Sequence, residues 1–485
     1  MVFSSQLFLF YFLPLTLALY YASSGRRLRH AILTLLSYAF YGWANPWFVL
    51  LMFGSTIIDY CCGLAIMRRG TEPNPGLDKL PKDRPRTKAQ RVALTISIVS
   101  NLSLLGFFKY FNFGVENYNA IVSALGLDFA VWETALRVTL PLGISFYTFQ
   151  SMSYSIDVYR GDARGMSNFV DFACYVAMFP QLVAGPIIRF SEVAEQLRER
   201  SHTFEKFARG VTMLSIGMSK KILLANPCGK IADTVFDAGS AHVVDAWYGA
   251  VGYAMQIYFD FSAYSDMAIG LGLMLGFVFP KNFDSPYKSQ SITEFWRRWH
   301  ISLSSWLRDY LYLPLGGNRL GPRRTYVNLA AVMLFGGLWH GASWNFVIWG
   351  AIHGGWLAFE RSMGKDSFYR VLPGPGRVLM TFVIVLIGWV FFRASDLTNS
   401  VNFLACMFGL ADVQDGASLL GLVLWKPYYL GSFVVALGIA FFGTQTWDWT
   451  RTVTPQKAVL SLIALAVSIA VLFTQAYNPF IYFIF

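Results

Sequence analysis

The sequence predicts an all-α protein that crosses a membrane many times. Three observations carry that reading. Of 485 residues 55% are hydrophobic and only 14% charged, with a mean hydropathy of +0.45, whereas a soluble chain carries about 25% charged residues. The apolar residues come in long runs with short polar stretches between them. The basic residues collect between runs, eight of the 39 Lys and Arg in 67–91 and eight more in 281–324. Cytoplasmic loops of membrane proteins gather positive charge in this way. The net charge of +11 therefore follows from topology, and no nucleic-acid partner is needed to explain it.

The runs follow in order at 7–22, 31–42, 46–66, 92–111, 138–156, 170–188, 211–225, 246–278, 326–339, 344–360, 378–394, 401–411, 429–443 and 457–473. The first resembles a signal peptide but has no basic residue before it; Arg26, Arg27 and Arg29 follow it instead. That order predicts an uncleaved first helix with its N-terminus outside. Several runs are too short for a straight span, which implies re-entrant or broken helices covered by protein. About 11 to 13 membrane-associated helices are expected, forming one polytopic domain over 1–485. Pro141, Pro180 and Pro186 interrupt the runs in the middle of the chain.

The loop 67–91, rich in Pro, Lys and Arg (Arg68, Arg69, Pro73, Pro75, Lys82, Pro85), is expected on the cytoplasmic side, as is 281–324. From 281–324 the chain enters at 326–339, returns over 344–360 to Arg361, Lys365, Arg370 and Arg377, and crosses again to Asp396, Asp412 and Asp415. It comes back to Arg451 and Lys457 and exits at 457–473, so both termini are expected outside. The five cysteines form no C-x-x-C pair, and no disulfide or metal framework is indicated.

G-x-S-x-G, Walker A and H-E-x-x-H patterns are absent, which argues against serine hydrolases, P-loop ATPases and zincins. The chemistry must come from elsewhere, and the six histidines are the candidates. His30, His202 and His242 lie among charged or polar residues and read as solvated. His340 lies in Gly336-Gly337-Leu338-Trp339-His340-Gly341, at the deep end of a run entered from the basic side. An ionisable residue at membrane depth is costly and marks function by default. Apolar surroundings favour neutral imidazole, the form that accepts a proton. The bland alternative is a histidine that only packs between helices.

From Ile292 to Leu313 the residues Phe295, Trp296, Trp299, Leu303, Trp306, Leu307 and Tyr310 share one helical face, with Arg297, Arg298, Ser302, Ser305, Arg308 and Asp309 opposite. This predicts an interfacial amphipathic helix with His300 on the border between faces, either looking into a cytoplasmic cavity or merely half exposed. His353, among Gly350, Gly354 and Gly355, reads as a helix-packing residue.

The stretches Trp296-Arg297-Arg298-Trp299-His300, Trp306-Leu307-Arg308-Asp309-Tyr310-Leu311-Tyr312-Leu313-Pro314-Leu315-Gly316-Gly317-Asn318-Arg319 and Gly337-Leu338-Trp339-His340-Gly341 closely resemble the membrane-bound O-acyltransferase (MBOAT) family. Phe3-Ser4-Ser5, Gln181-Leu182-Val183-Ala184-Gly185-Pro186-Ile187-Ile188-Arg189 and Asn478-Pro479-Phe480-Ile481-Tyr482-Phe483 resemble its branch for exopolysaccharide O-acetylation, alginate included. The resemblance covers essentially the whole chain. It implies a ring of helices around a funnel in a bacterial inner membrane, with no bound cofactor and acetyl-CoA or another acyl thioester as donor. It also implies extracytoplasmic acetyltransferase or acyl-carrier partners that modify the polymer. His340 matches the family's near-invariant membrane histidine and His300 its second conserved position.

A thioester needs little acid assistance to lose its thiol, so the demanding step is deprotonating the acceptor hydroxyl, a task suited to His340 as general base. Trp339, Trp344 and Asn345 are candidates to line the site, Asn345 as an oxyanion donor. Arg297 and Arg298, with Asp309 nearby, are candidates to hold the donor's phosphates. Two other classes compete. A transporter or flippase commonly shows two matching halves, which are not visible here, and a non-catalytic scaffold would not need the Gly-Leu-Trp-His-Gly block.

Overall fold

A computed structural model describes residues 1–68, 79–364, 371–475 and 477–479. Arg69, Pro73, Pro75, Lys365, Arg370 and Phe480-Ile481-Tyr482-Phe483 lie outside the described residues. The described residues are 74% helical and include no strand. It divides into two compact units, one of residues 1–203 with 275–279, the other of 204–274 with 280–485.

The first unit contains α1 (Arg26–Gly42), α2 (Trp47–Met67), α3 (Lys88–Ala124), α4 (Ile144–Arg160) and α5 (Phe169–Ala177). Helix α3 begins where the basic loop ends because Thr87 and Gln90 cap each other, Gln90 N donating to Thr87 Oγ1 (3.2 Å) and Thr87 N to Gln90 Oε1 (3.0 Å). Helix α4 is buried along nearly its whole length although it carries Ser, Thr and Gln. Its polar groups share a network with α2 and α3. Ser97 Oγ and Asn101 Nδ2 donate to Asp59 (2.6 and 2.8 Å), and Ser97 Oγ lies 2.8 Å from Ser155 Oγ. Such satisfaction is what allows a carboxylate between membrane helices.

Two of the histidines expected to be solvated are not. His30 is completely buried: its Nδ1 lies 2.5 Å from Asp171 Oδ1, and its Nε2 accepts from Arg200 Nη1 (2.8 Å). His202 is half-buried and shares a 2.8 Å hydrogen bond with Tyr20 OH. The charges around them in the sequence are partners gathered by the fold, which a reading of neighbours along the chain mistakes for hydration.

The second unit contains α6 (Phe204–Ser219), α7 (Val243–Met274), α8 (Ile292–Arg298), α9 (Ile301–Leu307), α10 (Pro322–His340), α11 (Trp344–Ser362), α12 (Gly374–Arg393), α13 (Leu397–Met407), α14 (Pro427–Phe442) and α15 (Pro455–Thr474). The 32-residue α7 is buried almost throughout. Its Asp260 and Asp266 pair with Lys221 (2.9 Å) and Lys220 (2.8 Å), which lie on a π-helical turn after α6. Buried charges persist only when paired.

Four helices among the described residues are long and apolar enough to cross a membrane: α2, α3, α12 and α15. A fifth crossing arises if Gly416–Leu424 and α14, bent by 71° from each other, form one broken span. The expected 11 to 13 or so membrane-associated helices include re-entrant and incomplete ones besides such full-length spans. The remaining helices are shorter or more polar, and neighbouring helices rather than lipid cover much of their surface.

Candidate active site

The candidate site is built on the hairpin of α10 and α11, whose axes approach closely because glycines face the contact. A Cβ at Gly337 would run into the Phe346 carbonyl, and one at Gly341 into the Phe346 ring. The sequence ends α10 at this point, so His340 is its last residue, only 8% exposed. Aromatic rings wall it in, with Trp339 at 5.0 Å and Trp349 and Phe392 each at 5.1 Å between centroids.

His340 lines a cavity of about 480 Å³, within the usual range for small-molecule sites. On α10 the lining positions Leu329, Val332, Met333, Gly336 and His340 follow one helical face, about 16 Å along the axis. Opposite them stand Trp296, Arg297, Ser304, Arg308 and Tyr312. The structure thus brings His340 and Arg297 to one cavity. Arg308 joins them, its guanidinium held by Asp309 at 2.7 and 3.0 Å.

The expected continuous helix over 292–313 is broken. Helix α8 ends at Arg298, α9 starts at Ile301, and a π-helical turn covers 308–312. His300 sits at the break with φ +44°, and Ser285 with φ +47° is the only other non-glycine residue among those described with positive φ. Both belong to the segment leading through Asn282, whose carbonyl accepts from Ile301 N (2.9 Å) and whose Oδ1 accepts from Ser302 N and Oγ (3.2 and 2.9 Å). These bonds hold a backbone conformation that costs about 1–3 kcal/mol.

The break also corrects the expected place of His300. It is not on a border between faces but completely buried and outside the cavity lining. Its Nδ1 lies 3.2 Å from Asn282 Oδ1, while its Nε2 has no hydrogen-bond partner among the described residues. Phe261 packs edge-on against it at 4.6 Å, and Trp339 at 6.1 Å stands between it and His340. A regular 3.6-residue period cannot reveal a reversal of backbone hand, which is why the border placement failed.

The other candidates separate. Trp339 is buried between the two histidines, whereas Trp344 is 54% exposed. Asn345 donates to Ala394 O (2.7 Å) and Ser400 Oγ (3.3 Å), tying the start of α11 to the segment after α12. Arg298 bonds Glu294 (2.8 Å) and Asp284 O (3.0 Å) and does not line the cavity. His353 accepts from Trp296 Nε1 (3.3 Å) and stacks near Phe295, a packing position that also steadies a cavity wall.

Sequence reasoning missed Asn282, Arg308 as a lining residue, and Glu360. Glu360 of α11 accepts from Ile292 N (2.7 Å), Thr293 N (2.9 Å) and Thr293 Oγ1 (2.6 Å), capping α8 from another helix. A lone acid closing the apolar run 344–360 was the available signal for it.

A helical protein that crosses a membrane and sets a histidine beside an aromatic wall, in a cavity with exposed arginines on its lining, is an integral-membrane enzyme. Residues 8–392 match the MBOAT, membrane-bound O-acyltransferase family. The chain belongs to that family and is a multi-pass membrane O-acyltransferase. It is 45% identical to the probable alginate O-acetylase AlgI of Pseudomonas putida, covering all of both chains. It is 48% identical to the protein of that name from Pseudomonas aeruginosa, over 92% of this chain and 82% of the other. The peptidoglycan O-acetyltransferase of Helicobacter pylori is 36% identical over 85% and 81% of the two chains.

Proposed function

We propose that the chain moves an acetyl group from a cytoplasmic thioester, acetyl-CoA or another acyl thioester, to a hydroxyl reached from the other side of a bacterial inner membrane. The acetyl then passes through extracytoplasmic acetyltransferase or acyl-carrier partners to an exopolysaccharide of the alginate type. The observation that carries this reading is the single cavity shared by His340 and the cationic pair Arg297 and Arg308. Relatives named for alginate share 43–48% identity, against 36% for one named for peptidoglycan, which favours the alginate class of acceptor.

In this mechanism Arg297 and Arg308 hold the donor's phosphates by charge-assisted hydrogen bonds, and the thioester lies along α10. His340 takes the proton of the acceptor hydroxyl as its oxygen attacks the thioester carbonyl. The tetrahedral intermediate collapses by breaking the C–S bond, and the departing thiolate recovers the proton from the imidazolium. His300, buried behind Trp339, acts as a positioning residue through that ring.

The test is incubation of the purified protein with radiolabelled acetyl-CoA and candidate extracytoplasmic acceptors. Acetyl transfer that requires both components supports the reading; hydrolysis alone, or no transfer to any hydroxyl acceptor, sinks it. The cytoplasmic side of the loop 67–91 is tested separately with Lys82→Cys, which an impermeant thiol reagent should label only after the membrane is opened.

A further inference from the structure

Along α14 the second unit has another cavity, about 870 Å³ in volume, that shares no lining residue with the histidine cavity. Its lining runs from Tyr428 through Val435 and Ile439 to Gly443, about 22 Å of helix. That is most of the roughly 30 Å hydrocarbon thickness of a bilayer. Leu224, Phe259 and Leu460 supply apolar walls from three other elements.

The cavity opens sideways, since the lining residues Val435, Ile439 and Leu460 are 52%, 43% and 60% exposed. One wall belongs to α15, a span with only 17% of its apolar window buried in protein. The side opening therefore faces hydrocarbon, and an apolar space in contact with hydrocarbon does not hold water. The length and the lateral opening fit an extended acyl chain.

One end is polar and basic. There Lys288 Nζ donates to the carbonyl of the lining residue Gly443 (2.8 Å). Lys457 Nζ donates to the carbonyl of the lining residue Trp449 (2.7 Å) and lies 5.1 Å from its ring centroid. Arg451 is exposed close by, and Asp448, the acid at this rim, already pairs with Lys281 (2.7 Å) and Arg451 (3.4 Å). Basic rims between membrane helices on the cytoplasmic side attract anionic headgroups.

We infer that this groove binds a bilayer phospholipid with an anionic headgroup, its acyl chain lying along α14 and its phosphate at Lys288 and Lys457. The site differs in kind from the donor cavity, because an acetyl thioester has no long apolar chain to place there. Its occupant fills the space between α14 and α15 and the buried α7.

The experiment is native mass spectrometry of the detergent-purified full chain after exchange into mixed phosphatidylglycerol and phosphatidylcholine. Wild type should retain phosphatidylglycerol in preference to phosphatidylcholine. Gly431→Trp combined with Ala464→Trp fills the groove and should lose retained lipid while keeping its size-exclusion profile and acetyl transfer. Lys288→Gln with Lys457→Gln should keep bound lipid but lower the preference for phosphatidylglycerol about tenfold, the scale of basic side chains at anionic lipid. The inference is overturned if wild type retains no phospholipid, if it retains both lipids equally, if the filled variant binds as well as wild type, or if the lysine variant keeps the full preference. Should the filled variant not fold, the lysine variant decides alone.

Discussion

His30 and His340 are both buried in helices of a membrane protein, yet their surroundings differ in kind. His30 is held at both nitrogens by charged partners, Asp171 and Arg200. His340 ends its helix against Trp339, Trp349 and Phe392 and lines a space large enough for a ligand. Protein charges meet the burial of the first, whereas the second stands among aromatic rings at the edge of a cavity. Burial alone does not separate a structural histidine from a reacting one; the nature of the surrounding groups does.

The contrast breaks first at His340. His340→Ala should lower acetyl transfer about 10²- to 10⁴-fold, the usual share of general-base catalysis, with an unchanged size-exclusion profile. Near wild-type transfer would return His340 to packing. His300→Ala should cost less, since it acts through Trp339.

Asp171→Ala tests the other half. It leaves the buried His30 Nδ1 without its hydrogen-bond partner, so thermal stability should fall by about 1–3 kcal/mol, while the folded fraction keeps its donor KM. A stable variant with impaired catalysis would erase the distinction between the two histidines.

A smaller effect is expected at the cavity's cationic wall. Arg297→Gln with Arg308→Gln should raise the donor KM about tenfold or more, the worth of lost charge-assisted bonds, with little change in kcat. Arg298→Gln should leave KM near wild type because that side chain does not line the cavity. Equal effects from Arg297 and Arg298 would assign both to membrane anchoring.

The smallest expected effect lies at α13, where Asp396 accepts from Asn399 N (2.8 Å). Asp396→Ala should cost about 1 kcal/mol. The Asn399 backbone N–H, followed by the Ser395 hydroxyl, holds the Asp396 carboxyl below its ordinary value. A depressed folded-state value means the stabilisation is present above the unfolded carboxylate range, about pH 4, and is lost as pH falls through the folded value. Thermal melts of the two proteins should therefore converge in acid; a difference that persists there would assign the effect to something other than the ionised cap.

Much of this molecule was determined by the sequence itself. Apolar runs marked the helices from α10 to α15 to within a few residues, because length and hydropathy are local properties that a bilayer selects directly. His340 stood out for the same reason, as a costly residue in one such run. The break at His300 was decided only by tertiary structure, since Asn282, eighteen residues away, supplies the bonds that stabilise a left-handed residue. So were the capping of α8 by Glu360, the engagement of Asn345 by Ala394, and the pairing of His30 with Asp171. Each depends on a hydrogen-bond partner brought from a distant segment, and a one-dimensional period carries no information about which distant groups will meet.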